Sequence, residues 1–370
     1  MRMTAHTVDK SLLAMTLIFF TGGILILGSA SMVLAYKNTG SVTGYALRQL
    51  AIGGGVGLIA MAITSRIHYR TWRKLALPLL LISFACMALL FIPHLRLASG
   101  GAARWLKIGP MSFQPSELLK ISFIIYLASW LDARRREVAS VSYGMLPFAL
   151  MVSVVGVFLA MQPDVGTLIV IVMTSGLLYF FGGGKTSQVI TLLLLGVAAL
   201  LLLVQLAPYR LSRLFIFFNP GSDPLGAGYQ MNQASLAIGS GGFWGLGFGR
   251  SVQKYLYLPE PMGDSIFAVF SEEMGFIGAM ALLAFFFFFY AKGLSIARRA
   301  PDVFGKLLAA GVATGIMSQA FVNMAAISGL MPLTGIPLPF ISYGGTSLAM
   351  TLASVGILLN ISRYTEGRKG

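Results

Sequence analysis

The sequence predicts an all-α, polytopic membrane protein with about ten transmembrane helices, and three observations carry that expectation. Of 370 residues, 56% are hydrophobic and only 11% charged, with a mean hydropathy of +0.81; a soluble domain carries about 25% charged residues. Apolar runs of roughly twenty residues, the length that crosses a hydrocarbon core, recur along the whole chain. The 27 Lys and Arg residues fall in short clusters between those runs, so the net charge of +15 reads as topology-setting loops rather than a nucleic-acid surface.

On the twenty-residue template the spans fall near 11–35, 48–64, 75–92, 116–131, 145–161, 165–182, 188–207, 265–291, 304–328 and 344–362. The second and fourth are short or carry ionisable residues. All are expected to be helical, because lipid-exposed backbone must satisfy its own hydrogen bonds. The first run lacks a small-residue cleavage signal and reads as a retained helix. Residues 1–370 then form one integral membrane domain, and 208–263 is a large extracytoplasmic loop between the seventh and eighth spans. Cys86, the sole cysteine, sits in an apolar run, which excludes a disulfide framework and a Cys/His metal site.

The basic clusters at Arg66–Lys74, Arg134–Arg136 and Arg298–Lys306 alternate with less basic loops, which places both termini in the cytoplasm. The two long segments Pro93–Pro115 and 208–263 then lie outside. Loops of that length are functional more often than not. No internal repeat is visible of the kind that marks many transporters.

Twelve acidic residues exist. Asp9, Asp132, Glu137, Asp302 and Glu366 lie in or beside the cytoplasmic loops and read as solvated charges. Seven others lie outside or within spans, where an ionisable group is a functional candidate. Asp264 stands where a Pro-rich loop meets an apolar helix. It can cap that helix or accept a proton from a hydroxyl acceptor. Glu117 and Lys120, spaced i,i+3, share one helix face; the pair either neutralises itself or aims Lys120 at a phosphate. Asp164 occupies a tight turn between two spans. Adjacent Glu272 and Glu273 point about 100° apart on a helix and are not expected to face one site. Outside aromatic residues such as Trp105 and Trp244 fit an interfacial belt, and the stretch IGSGGFWGLGFG follows no strand, which removes a nucleotide-loop reading.

The blocks RQL at 48–50, GGAARWLKIGPMSFQPSELLK at 100–120, QPDVGT at 162–167, the run from Asp223 to Pro261, DSIFAVFSEEMG at 264–275 and GIPLPFISYGGTS at 335–347 resemble the SEDS family (shape, elongation, division and sporulation). The stretch GFGRSVQKYLYLPE is closer to the cell-division branch (FtsW-like) than to the rod-elongation branch (RodA-like). The resemblance implies a peptidoglycan glycosyltransferase that joins lipid II units and releases undecaprenyl pyrophosphate. It places the essential Asp at Asp264, and substrate-binding positions at Arg48, Arg104, Trp105, Glu117, Lys120, Gln162, Asp164, Ser342 and Tyr343. It also implies a divalent cation, Mg or Mn, with no organic cofactor, and a class B penicillin-binding protein and other division proteins as partners in the bacterial cytoplasmic membrane. Where the family pattern is HTDF, this chain has Met262, Gly263, Asp264 and Ser265. Two other classes compete: a flippase, which needs charged residues along a whole transmembrane path, and a non-catalytic scaffold, which does not need Asp264.

Overall fold

The computed structural model describes residues 6–99, 102–109, 111–205, 208–219, 222–226 and 228–365. Its elements are α1 (Lys10–Thr39), α2 (Gly44–Arg48), α3 (Gly55–Arg66), α4 (Tyr69–Leu89), β1 (Arg96–Ser99), β2 (Ala102–Ile108), β3 (Met111–Phe113), α5 (Pro115–Ala133), α6 (Leu146–Met161), α7 (Val165–Phe181), α8 (Thr186–Gln205), α9 (Pro208–Phe218), α10 (Tyr229–Ser240), α11 (Ile266–Arg298), α12 (Val303–Ile327) and α13 (Gly345–Ser362). A π-helical turn over Gln49–Gly54 fuses α2 to α3, and another over Val141–Met145 leads into α6.

Among the described residues, eight helices are long and apolar enough to cross a membrane: α1, the joined Gly44–Arg66, α4, Val141–Met161, α8, α11, α12 and α13. Two further helices complete the expected ten. α5 has 19 residues and carries Glu117, Lys120 and Asp132, and α7 has 17. Both pack on α12, where polar groups meet protein instead of lipid.

α12 and α13 form the centre, with the α12 span 83% buried, whereas α8 at the rim is 6% buried. Small residues let the central helices approach closely. A side chain on Gly356 of α13 would begin 1.9 Å from Thr64 Oγ1, a hydroxyl that donates to the Ala353 carbonyl at 2.9 Å. Phe19 of α1 stacks on Phe340 and meets Phe285, Phe286 and Phe289 of α11.

Both long segments between spans have structure of their own. In 93–115, β1, β2 and β3 form an antiparallel sheet in that order, with Trp105 opposite Leu97. The segment 208–263 contains α9 and α10. The acids expected to be solvated or headgroup-region charges are more engaged than that. Asp302 bonds Arg70 and Tyr69, Asp132 pairs with Arg73 at 2.8 Å, Glu137 with Arg134 at 3.0 Å, and Asp9 caps α1 while pairing with Lys292 at 2.8 Å. Glu366 lies outside the described residues.

Candidate active site

Asp264 closes the Pro-rich segment 259–263, and three donors fix the backbone that carries it. Tyr343 N–H donates to the Met262 carbonyl (2.8 Å), Ser342 Oγ to Gly263 (2.7 Å) and Asn323 Nδ2 to Asp264 itself (2.8 Å). Asn323 also donates to the Ile336 carbonyl at 2.8 Å, so α12 ties the segment before α11 to the segment before α13. Ser342 accepts from Leu338 N–H. Gln49, in the π turn, holds the same corner: Nε2 donates to the Ser342 carbonyl and Oε1 accepts from Gly344 N–H.

The Asp264 side chain does not cap α11. The cap position is Ser265, and no side chain accepts the first helical N–H groups there. Both carboxylate oxygens instead accept from Gln230 Nε2 of α10, at 3.2 Å each. Burial pushes this carboxyl up to about 6; the Glu260 charge adds to the rise, while the Gln230 hydrogen bond and the Arg213 charge oppose it. A carboxylate with few donors and a raised pKa is a better proton acceptor than a capping one.

Arg104 faces the same space. The point where a side chain on Gly335 would begin lies 3.8 Å from Asp264 Oδ2 and 4.0 Å from Arg104 Nη1. Gly335, at φ 71°, leaves that floor empty. Arg104 Nη2 donates to the Pro163 carbonyl. That carbonyl is held in turn by its neighbours: Gln162 donates to Met87 at 3.1 Å, and Asp164 accepts from Thr167 N–H, Thr167 Oγ1 and Ser116 Oγ. Asp164 is therefore the N-cap of α7, more specific than a turn former, and Gln162 and Asp164, both under 5% exposed, act behind Arg104 rather than at the surface of the site.

The Glu117–Lys120 pair forms at 2.9 Å, and Lys120 Nζ also reaches Gln319 Oε1. Gln319 Nε2 donates to the Pro337 carbonyl at 2.9 Å. Gln319 and Asn323, four residues apart on one face of α12, thus connect the buried pair to the Ile336–Pro337 backbone beside Gly335. The pair borders a cavity of about 40 Å³, room for a few waters. Arg48 is exposed, and its charge acts against the burial that raises the Tyr343 phenol; Tyr343 packs edge-on to Tyr45 at 5.2 Å. Trp105 is half-buried on β2. The structure thus gathers Asp264 and Arg104 at one space, sets Ser342, Tyr343, Gln162 and Asp164 behind it and Glu117–Lys120 beneath it, and leaves Arg48 at the edge.

A second buried cluster braces the loop before Asp264. Lys254, fully buried, pairs with Glu273 at 2.9 Å and also donates to Ser29 Oγ and to the Gly249 carbonyl. Glu272 accepts from Val252 N–H at 2.9 Å and from Gln253 N–H and Ser251 Oγ. The expectation that the two glutamates cannot serve one site is corrected: the turn 251–254 is wide enough to meet both. Gln49, Gln230, Lys254, Gln319 and Asn323 were not singled out by sequence reasoning. An i,i+4 pair of amides inside an apolar span is the signal that marks the last two.

No group of three or more His, Cys, Asp or Glu side chains forms a metal cluster among the described residues. Glu260 is exposed, and it lies close enough to Asp264 for its charge to add to the rise of that carboxyl.

A family model named for FtsW, RodA and SpoVE and described as "Cell cycle protein" matches residues 9–367. "Stage V sporulation protein E" of Bacillus subtilis is 39% identical over 97% of this chain and 98% of its own length. "Probable peptidoglycan glycosyltransferase FtsW" of Trichlorobacter lovleyi is 38% identical over 96% of this chain and 93% of its own. A solved chain reported under "Structural coordination of polymerization and crosslinking by a peptidoglycan synthase complex" superposes with a TM-score of 0.79 at 30% identity, covering 96% of this chain and 98% of that one. The ten-helix bundle and a family match over nearly the whole sequence lead to one conclusion: this chain is a multi-pass membrane protein that belongs to the FtsW/RodA/SpoVE family, the SEDS proteins.

Proposed function

We propose that this protein is a peptidoglycan glycosyltransferase that polymerises lipid II at the outer face of the bacterial cytoplasmic membrane, with both termini in the cytoplasm. The observation that carries the reading is the space over Gly335, faced from one side by the Asp264 carboxylate and from the other by the Arg104 guanidinium. The acceptor's sugar 4-hydroxyl oxygen forms a bond to the donor's anomeric carbon as the bond to the pyrophosphate oxygen breaks. The hydroxyl proton passes to Asp264, and undecaprenyl pyrophosphate leaves with its charge met by Arg104.

Gln230 and Asn323 keep the base in place. Gln162 and Asp164 keep Arg104 in place through Pro163. Glu117 and Lys120 support the floor through Gln319, a positioning role, because Lys120 Nζ is turned to Glu117 and Gln319. Arg48, Trp105 and Tyr343 sit where the lipid-linked substrate passes the edge. A divalent cation, Mg or Mn, would be held by Glu260 together with the substrate pyrophosphate and would supply charge to the leaving group, since Mg commonly binds through one or two carboxylates and phosphates.

A transpeptidase of the penicillin-binding class and other division proteins are the partners this reading entails. The test is reconstitution in vesicles with labelled lipid II, with and without such a partner, followed by gel analysis. Glycan ladders are expected. Their absence in both arms from folded protein, or equal ladders from Asp264→Asn, sinks the proposal.

A further inference from the structure

The glycine-rich run GGFWGLGFG at 241–249 carries four aromatic or aliphatic side chains, Phe243, Trp244, Leu246 and Phe248, and no polar one. All four are exposed, Trp244 at 79%. Its backbone is woven into α11, which breaks at Gly275 (φ 66°, ψ −169°). Leu246 and Gly247 N–H donate to the Glu272 and Glu273 carbonyls at 3.0 and 2.9 Å. Phe276 and Ile277 N–H donate back to Gly242 and Phe243 at 2.9 and 3.2 Å. The break frees α11 backbone groups and the loop satisfies them, the condition under which non-helical backbone is tolerated at membrane depth. Glycine is required at the crossing: a side chain on Gly245 would begin 2.2 Å from the Glu273 carbonyl oxygen.

Depth follows from the helix itself. Lys292 of α11 pairs with Asp9, the cap of α1, and this ion pair marks one membrane edge. From Lys292 back to Gly275 is about 25 Å at 1.5 Å per residue, short of the ~30 Å hydrocarbon thickness. The loop therefore joins α11 inside the opposite edge. There its apolar side chains run on without a gap into the outward face of α11: Phe243 stacks on Phe276 at 5.9 Å, and Phe276 and Ile277 are themselves exposed.

We infer that residues 241–249 form a re-entrant anchor inserted into one leaflet, with Phe243, Trp244 and Phe248 among phospholipid acyl chains at the glycerol level, where Trp side chains settle. The anchor fixes the height of the loop that Lys254 and Glu273 brace. It stands independently of any enzymatic activity.

The test uses the full chain with Trp72→Phe, Trp105→Phe and Trp130→Phe, so that Trp244 is the sole tryptophan and is excited apart from the tyrosines, in phosphatidylcholine–phosphatidylglycerol vesicles. Phosphatidylcholine brominated high on the acyl chain should quench Trp244 at least twofold more than phosphatidylcholine brominated near the chain terminus, and aqueous iodide should quench it little. If the triple variant does not fold, Cys86→Ala combined with Trp244→Cys serves instead. It should react at least tenfold more slowly with a membrane-impermeant maleimide than Cys86→Ala with Asp223→Cys. Strong iodide quenching, or maleimide labelling at 244 as fast as at 223, places the run in water and overturns the inference. Quenching by neither agent places Trp244 against protein, such as a second copy, and overturns it equally.

Discussion

Replacing Asp264 by Asn separates proton acceptance from every other role this residue can play. Asn preserves size and still offers Oδ1 to Gln230 Nε2, so the hydrogen bond that holds the side chain survives. The carboxyl titrates at about 6 in the folded protein against 3.8 for the free group. Folding therefore favours its protonated form, and the ionised form burdens the folded state. That burden is absent below pH 3.8, grows through the interval and is complete above about 6. At 1.36 kcal/mol per pH unit it amounts to at most about 3 kcal/mol, less whatever solvent screening the partly exposed site supplies.

Asp264→Asn removes the burden. In detergent at pH 7.5 the variant should unfold at a temperature equal to or above that of the unaltered protein, and near pH 4 the two should coincide. Turnover should fall by about 10²–10⁴-fold, the usual loss of a general base, enough to erase glycan ladders. The unaltered enzyme should lose activity as pH drops through about 6, where the base takes up its proton. A helix-capping or structural role predicts the reverse: reduced thermal stability with polymer yield preserved. Near-native ladders from a folded Asp264→Asn protein would refute the base assignment outright.

Lys254→Met leaves the Glu273 carboxylate buried without its cation, and breaking such a pair costs about 3–5 kcal/mol; thermal denaturation in detergent should show the loss, and adding Glu273→Gln should recover part of it. Asn323→Leu removes both donors to the Asp264 and Ile336 carbonyls, so kcat in the lipid II assay should fall with KM little changed; an altered KM with preserved kcat would contradict the positioning role. Lys120→Met should impair polymerisation while insertion into membranes persists. The charge-reversed Glu117→Lys, Lys120→Glu protein should not recover activity, because Gln319 Oε1 then lacks its donor, and full recovery would reduce the pair to simple neutralisation. In Cys86→Ala background, a cysteine at 223 should label from outside the cell only, and labelling solely from the cytoplasmic side would invert the proposed topology.

Much of the bundle was legible because apolar run length is a local property. Span 165–182 anticipates α7 at Val165–Phe181, and span 344–362 anticipates α13 at Gly345–Ser362. Where the sequence misled, the missing information lay in tertiary partners. Glu272 and Glu273 look incompatible on a lone helix, and only the turn at 251–254, brought back by a chain reversal eighteen residues or more away, makes one ligand of the two. Asp164 and Asp264 each precede an apolar helix, but the sequence reading offers capping only for Asp264 and takes Asp164 as a turn residue. The structure gives capping to Asp164, which accepts from Thr167 N–H, and denies it to Asp264.

That division of labour has a physical origin. Asp164 is followed by Gly166 and Thr167 in the first turn of α7, where a hydroxyl and an N–H converge on one carboxylate and hold its charge in place. Asp264 accepts instead from the Gln230 amide and its own backbone N–H, and no hydroxyl of the described residues is among its donors. The three polar contacts that fix this residue, from Tyr343, Ser342 and Asn323, all go to backbone carbonyls at 262–264. The backbone is thereby rigid while the carboxylate accepts from one side-chain amide and its own N–H and keeps a raised pKa. A base needs that combination, since extra donors to the side chain would fix its position and weaken its basicity together. Holding the residue by its carbonyls avoids the conflict, and it explains why amides and hydroxyls, with Gln49, Asn323 and Ser342 foremost, occupy otherwise apolar segments around the site.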